Sequence, residues 1–169
     1  MREAFAWAGE GRFELVFVEL DGDRLTARGT QLGFAPVAYR LEYALETGPG
    51  FVSERLQASV ETLRGSRTVD LRRGRAPLDG EAVDIDLGFS PLFNSLPVLR
   101  LGLLGGGSSV DLTMAFVDVP ELAVSKSQQR YVPLEPGVVR FRSGSFSADL
   151  TFDEHGFVIE YPGLARRVP

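Results

Sequence analysis

Apolar and polar residues alternate with a period of two over most of the chain, the spacing at which successive side chains of an extended strand point to opposite faces. Val37, Tyr39, Leu41, Tyr43 and Leu45 form one such row, with Arg40, Glu42 and Glu46 between them. Val52, Leu56, Ala58 and Val60 form a second, interleaved with Ser53, Arg55, Gln57, Ser59 and Glu61. Three further rows are Val83, Ile85, Leu87; Val110, Leu112, Met114, Phe116; and Phe146, Ala148, Leu150, Phe152. Each row predicts a strand that packs one side on a core and leaves the other in water. Turn signals separate the rows: Asp21-Gly22-Asp23 joins residues 13–19 to 24–30, and Asp79-Gly80, Ser143-Gly144 and Glu154-His155-Gly156 fall between later rows. Glycine at such points supplies a positive φ at low steric cost. Short strands at such spacing predict a single all-β domain over residues 1–169: an antiparallel meander rolled into a half-open barrel, or spiral β-roll, with at most one or two short helices.

One segment breaks the alternation. Ser90-Pro91-Leu92-Phe93-Asn94-Ser95-Leu96-Pro97 is too apolar for an exposed loop and too rich in proline for a strand interior. The best helix candidate lies within 90–104. Gly105-Gly106-Gly107 follows and reads as a flexible turn, since it lacks the Lys-Ser/Thr of a phosphate-binding loop.

Composition narrows the chemistry. The 169 residues include 19 Gly and 10 Pro but no Cys, which excludes a disulfide scaffold and a Cys-ligated zinc module. His155, the one histidine, lies in an apparent hairpin turn, and Lys126, the one lysine, lies in a polar Ser-Lys-Ser stretch. Neither sits where a catalytic base or a Schiff-base nucleophile would be tuned. No catalytic set, metal site or cofactor site is expected. A net charge of -5 argues against nucleic-acid binding, and the arginines 64, 67, 72, 73 and 75 read as a solvated surface. Residues 1–7 contain no apolar run of secretory length, and no stretch approaches the roughly 20 apolar residues of a membrane span. Residues 98–104 are apolar but interrupted by Arg100. The expectation is a cytoplasmic protein without a membrane span.

Two constellations remain. Asp84 and Asp86 flank Ile85 and share one side of a strand. They read as a solvated face, as partners of arginines such as Arg130, Arg140 or Arg142 on a neighbouring strand, or, less favoured, as a pair that shares a metal or does acid/base work. Gln128-Gln129-Arg130-Tyr131 and Val139-Arg140-Phe141-Arg142 read as amphipathic strands. The bland reading is a sheet with a charged outside. The sharper one is a concave polar surface for a headgroup, with Trp7, Phe93, Tyr131 and Tyr161 supplying apolar surface.

The stretch Asp84-Ile85-Asp86-Leu87, the block 90–101, Gln129-Arg130-Tyr131, and the run 152–164 ending in Tyr161-Pro162-Gly163-Leu164 resemble the bacterial family described as "Putative glycolipid-binding", first catalogued as a domain of unknown function. With Trp7 and Gly11 the resemblance spans nearly the whole chain. It implies a β-roll or open barrel similar to bacterial lipoprotein carriers, with a cavity for a glycolipid-like amphiphile. Leu99 and Ala44 stand where the family has a basic and an acidic residue, and 72–78 lacks its tryptophan.

The leading expectation is therefore non-catalytic binding of a lipid or glycolipid-like small molecule, without a cofactor. Phe93, Asn94, Arg100, Arg130, Tyr131 and Tyr161 would line or cap the cavity. Asp84, Asp86, Arg140 and Arg142 would form a salt-bridged or polar site. The alternatives are a hydrolase-type enzyme using Asp84 and Asp86 on a small amphiphile, and a structural domain that self-associates through its sheet edges into a homodimer.

Overall fold

The computed structural model describes residues 1–169 apart from Glu81 and Val83, so the Val83 end of one apolar row lies outside the described residues. Among the described residues thirteen strands form one sheet around one α-helix. Six make an N-terminal meander: β1 (Arg2–Gly9), β2 (Arg12–Asp21), β3 (Arg24–Gly33), β4 (Tyr39–Thr47), β5 (Ser53–Thr62) and β6 (Gly65–Arg72). After β7 (Asp84–Leu87) and helix α1 (Pro91–Leu101), a second meander follows. It comprises β8 (Val110–Val117), β9 (Val124–Glu135), β10 (Val138–Ser143), β11 (Phe146–Phe152), β12 (Val158–Tyr161) and β13 (Ala165–Arg167).

The two meanders join at their outermost strands in sequence. β1 pairs with β13 through Trp7 opposite Arg167 and Ala8 opposite Arg166. The strand order is then β6-β5-β4-β3-β2-β1-β13-β12-β11-β10-β9-β8-β7. All neighbours are antiparallel except β7, which runs parallel to β8 from Asp84 opposite Met114 to Leu87 opposite Val117. The parallel pair follows from the helix: a chain that crosses over through α1 re-enters the sheet in the same direction. The sheet is not closed into a barrel. Its two ends approach each other through side-chain contacts, among them the Ile85 amide on β7, which donates to Ser53 Oγ on β5 at 3.2 Å, and Arg67 on β6, which pairs with Glu121 between β8 and β9.

Helix α1 fills the irregular segment. Pro91 sits at its first position, where the missing N–H is not needed, and Gly102 ends it in the left-handed conformation with φ 61°. Every residue from Pro91 to Val98 is buried, so this is a core helix enclosed by the sheet and not an amphipathic surface one. Its polar residues tie it to both halves. Ser90 Oγ donates to Glu14 Oε1 at 2.6 Å, Asn94 Nδ2 donates to the Tyr131 hydroxyl at 3.1 Å, and Ser95 Oγ accepts from the Val158 amide at 3.3 Å.

The apolar rows read from the sequence line the interior. Leu41, Leu45, Leu56, Ile85, Leu92 and Leu96 belong to one cluster, while Leu112, Met114, Tyr131, Phe141, Leu150 and Phe152 belong to a second under β8–β12. Strand β2 is apolar on both faces: Val16 and Val18 point in beside Glu14, while Phe13, Leu15 and Phe17 are exposed. Glycine on β3 makes the inward position of Glu14 tenable. A Cβ at Gly29 would overlap the Tyr43 ring, and one at Gly33 would overlap the Tyr39 ring. Both tyrosines lie across β3, and the Tyr43 hydroxyl reaches Glu14 Oε1 at 2.7 Å.

Candidate functional site

A cavity of about 610 Å³ opens between β7, the start of α1, and strands β9, β10 and β12. That volume lies in the range of small-molecule sites. One wall is polar: Asp86, Ser90, Asn94, Ser127, Gln129 and Ser143. Beside it the lining is aromatic: Phe141, Phe146 and Tyr161, with Phe89 and Phe116 also lining the cavity. Phe89 holds φ at 63°, a conformation rarely adopted by a residue with a bulky side chain. The Arg12 guanidinium stacks 3.8 Å from the Phe89 ring centroid and donates to the Ala35 carbonyl at 3.0 Å, which pins the edge of the cavity to the N-terminal meander.

The polar wall is a directed chain of donors. Asn94 Nδ2 donates to the Tyr131 hydroxyl, which donates to Gln129 Oε1 at 3.2 Å, and Gln129 Nε2 donates to Asp86 Oδ2 at 2.6 Å. The chain ends on the half-buried Asp86 carboxylate, which lines the cavity. Burial pushes its pKa up to about 6, against the opposing effect of the Gln129 bond. Tyr131 and Tyr161 are both held above the ordinary phenol range, by burial first and then by the negative charge of Asp86. Tyr161 and Asp86 are thus close enough to feel each other's charge.

Asp84, two residues earlier on the same strand, has a different role. It is fully buried, and Arg100 from the helix donates to its Oδ2 through Nε at 3.1 Å and Nη2 at 2.6 Å. Desolvation raises its pKa, and Arg100 partly offsets that. Asp84 does not line the cavity, so the two carboxylates read from the sequence as a pair do not share one space.

The structure sorts the other expected residues by face. Asn94 and Tyr161 line the cavity, and Tyr131 supports it from behind. Phe93 is buried in the core, its ring 5.6 Å from Tyr43. Arg100 is committed to Asp84. Arg130, Arg140 and Arg142 point to the outer face, because each alternates with an inward residue: Gln129 and Tyr131 on β9, Val139 and Phe141 on β10. There Arg130 pairs with Asp111 and Arg140 with Asp149, so the aspartates of β7 find no partner among these three. Asp86 itself takes its hydrogen bond from Gln129, a neutral amide on β9. Trp7 is a core residue whose indole donates to the Val158 carbonyl at 2.9 Å.

Gln129, Phe141 and Phe146 are cavity residues that sequence reasoning did not single out as a site. The signal was present for Gln129: it shares a face with Tyr131, whereas Arg130 cannot. Among the described residues, no group of three His, Cys, Asp or Glu side chains could hold a metal ion, and no helix is long and apolar enough to cross a membrane.

Comparison with known proteins adds a family and a fold. A family model described as "Putative glycolipid-binding" matches residues 5–167. The crystal structure of a DUF1089 family protein from Pseudomonas aeruginosa superposes with a TM-score of 0.80 at 27% sequence identity, covering 95% of this chain and 94% of that one. No curated protein matches the chain.

Proposed function

The chain belongs to the "Putative glycolipid-binding" family, and from that premise we propose that it is a non-catalytic binder that holds a lipid or glycolipid-like amphiphile in the cavity beside α1. One observation carries the reading: a single cavity sets the donor chain ending on Asp86 against the aromatic wall of Phe141, Phe146 and Tyr161. A ligand with a polar head and an apolar body needs both surfaces at once. In this reading Asn94, Gln129 and Asp86 contact the head, and the aromatics contact the first part of the apolar body. Tyr131 orients Gln129 without touching ligand.

The test is a native mass-spectrometry and thermal-shift screen against extracted bacterial lipids, with Ser127→Trp as the control. Ser127 is a half-buried β9 residue on the cavity wall, so an indole there fills the space without entering the packed core. We expect a retained lipid and a raised Tm for the native protein, and neither for Ser127→Trp. Absence of any bound species in the native protein, or equal retention by both, refutes the reading.

A further inference from the structure

The aromatic wall has a geometry beyond what an alkyl chain requires. The ring centroids of Phe141, Phe146 and Tyr161 are each 6.1 Å from the other two, with interplanar angles of 55°, 69° and 44°. The three rings therefore form a continuous tilted triangle, and Phe146 remains 46% exposed toward the opening. Aromatic faces carry negative potential and attract a cation placed within about 6 Å of a centroid. Asp86 stands in the same cavity. Among the described residues no basic side chain bonds to it, and its carboxylate accepts from the neutral Gln129 amide.

The other ionisable groups at the cavity do not complete the site from within. Arg12 is stacked on Phe89 and bonded to Ala35, and Lys126 is engaged by a contact of its own. Asp118 adds a second negative charge at the mouth. A half-buried carboxylate with no basic side chain bonded to it, lining the same cavity as three aromatic rings, is a complementary surface for positive charge. An anionic head would meet Asp86 as a like charge in a desolvated space.

We propose that the head group accepted by this cavity is cationic: an ammonium, primary or quaternary, placed over Phe141, Phe146 and Tyr161 with Asp86 as its counter-charge. The proposal rests on the amphiphile reading of the same cavity and specifies its ligand class. No bond is made or broken.

The experiment is isothermal titration of the full chain with three single-chain amphiphiles of equal tail length below their micellar concentrations: dodecyltrimethylammonium, dodecyl maltoside and dodecyl phosphate. The cation is expected to bind about tenfold more tightly than either of the others, one charge-paired interaction in a partly desolvated site. Asp86→Asn, which keeps the shape and the acceptor for Gln129, should bring the cation to within about twofold of the maltoside. Phe146→Ala, at a half-exposed position that the fold tolerates, should weaken the cation by about fivefold and the maltoside by less than about twofold. Equal or tighter binding of maltoside or phosphate overturns the proposal, as does a preference for the cation that survives Asp86→Asn. If none of the three binds, or if Ser127→Trp binds them all as the native protein does, the amphiphile reading falls with it. Binding that Ser127→Trp blocks, with no preference for the cation, overturns only the head-group assignment.

Discussion

In the N-terminal half of the roll, strands β2–β4 close their interior around Glu14. Its Oε1 accepts from both Tyr43 and Ser90, and the space beside it is only about 10 Å³. In the other half, Asp86 has the same chemical group, a single bond from Gln129, and a cavity of about 610 Å³ in front of it. Burial raises both pKa values, Glu14 to about 7 and Asp86 to about 6. Desolvation therefore does not distinguish the structural acid from the one proposed to meet ligand; the number of donors each already accepts from, and the space in front of it, do. Glu14 holds β2, β4 and the start of the helix together through Oε1, while its Oε2 is buried without a partner; the free capacity of Asp86 instead faces an open cavity. Asp84 is a third case, compensated mainly by the charge of Arg100, with smaller contributions from the Ser53 backbone and Arg73.

That contrast predicts a ranking of costs. Arg100→Ala removes the main counter-charge of a fully buried carboxylate, leaving the weaker influence of Arg73, and should cost about 3 kcal/mol at pH 8, with part of the loss recovered on acidification as Asp84 takes a proton. Urea unfolding at pH 8 and pH 5 measures it, and a loss below about 1 kcal/mol would mean that Arg100 is dispensable. Glu14→Ala should cost about 3 kcal/mol, because two buried hydroxyls lose their acceptor and a packed site is left with a void. Asp86→Ala should cost under about 1 kcal/mol, since only Gln129 loses a partner and the vacated space joins an existing cavity. Equal losses for the two alanine variants would erase the distinction drawn between the halves.

The pH dependence runs in one direction for both acids. A carboxyl whose folded-state pKa is raised binds more protons folded than unfolded, so its contribution to stability is fully present at low pH and falls as pH rises. The windows are about pH 4.5 to 7 for Glu14 and about pH 3.8 to 6 for Asp86. Asp86→Asn should therefore be more stable than the native chain by roughly 2 kcal/mol at pH 8 and show no gain at pH 4. The same substitution is expected to remove a ligand contact, the usual trade between stability and function. Denaturant unfolding across pH 4–8 tests this, and parallel stability curves for the two proteins would contradict it.

Much of the sheet was legible because period-two rows such as Tyr39, Leu41, Tyr43, Leu45 mark one face unambiguously. The helix was harder to read. Pro97 lies inside it, and its usual polar face is absent because the sheet surrounds it. Strand β2 is opaque for a related reason: Phe13, Leu15 and Phe17 look like the inner row, yet they face out and Glu14 faces in. Only the tertiary partners Tyr43 and Ser90, 29 and 76 residues away, make that orientation favourable. At the site, residue types were easier to choose than faces. Asn94, Tyr161 and Asp86 line the cavity, but arginines valued as headgroup ligands alternate with the residues that do. The β7 carboxylates were separated by an arginine arriving from the helix, a long-range event that strand spacing does not encode.

The smallest expected effect belongs to those outer arginines, and it sharpens the contrast between the two sides of the sheet. Arg140 donates to both carboxylate oxygens of Asp149, at 2.6 and 2.9 Å, and the pair is partly open to solvent. Exposed ion pairs contribute little, because water screens them and both side chains lose freedom in making them. Val139 and Phe141 on either side of Arg140 point inward, so its charge lies across the thickness of the sheet from Asp86. Arg140→Gln should leave the unfolding midpoint and the affinity for dodecyltrimethylammonium unchanged within about twofold, in the same titration in which Asp86→Asn abolishes the preference for the cation. A tenfold change on removing Arg140 would place the headgroup on the outer face, and the cavity would then lose its claim to the polar half of the ligand.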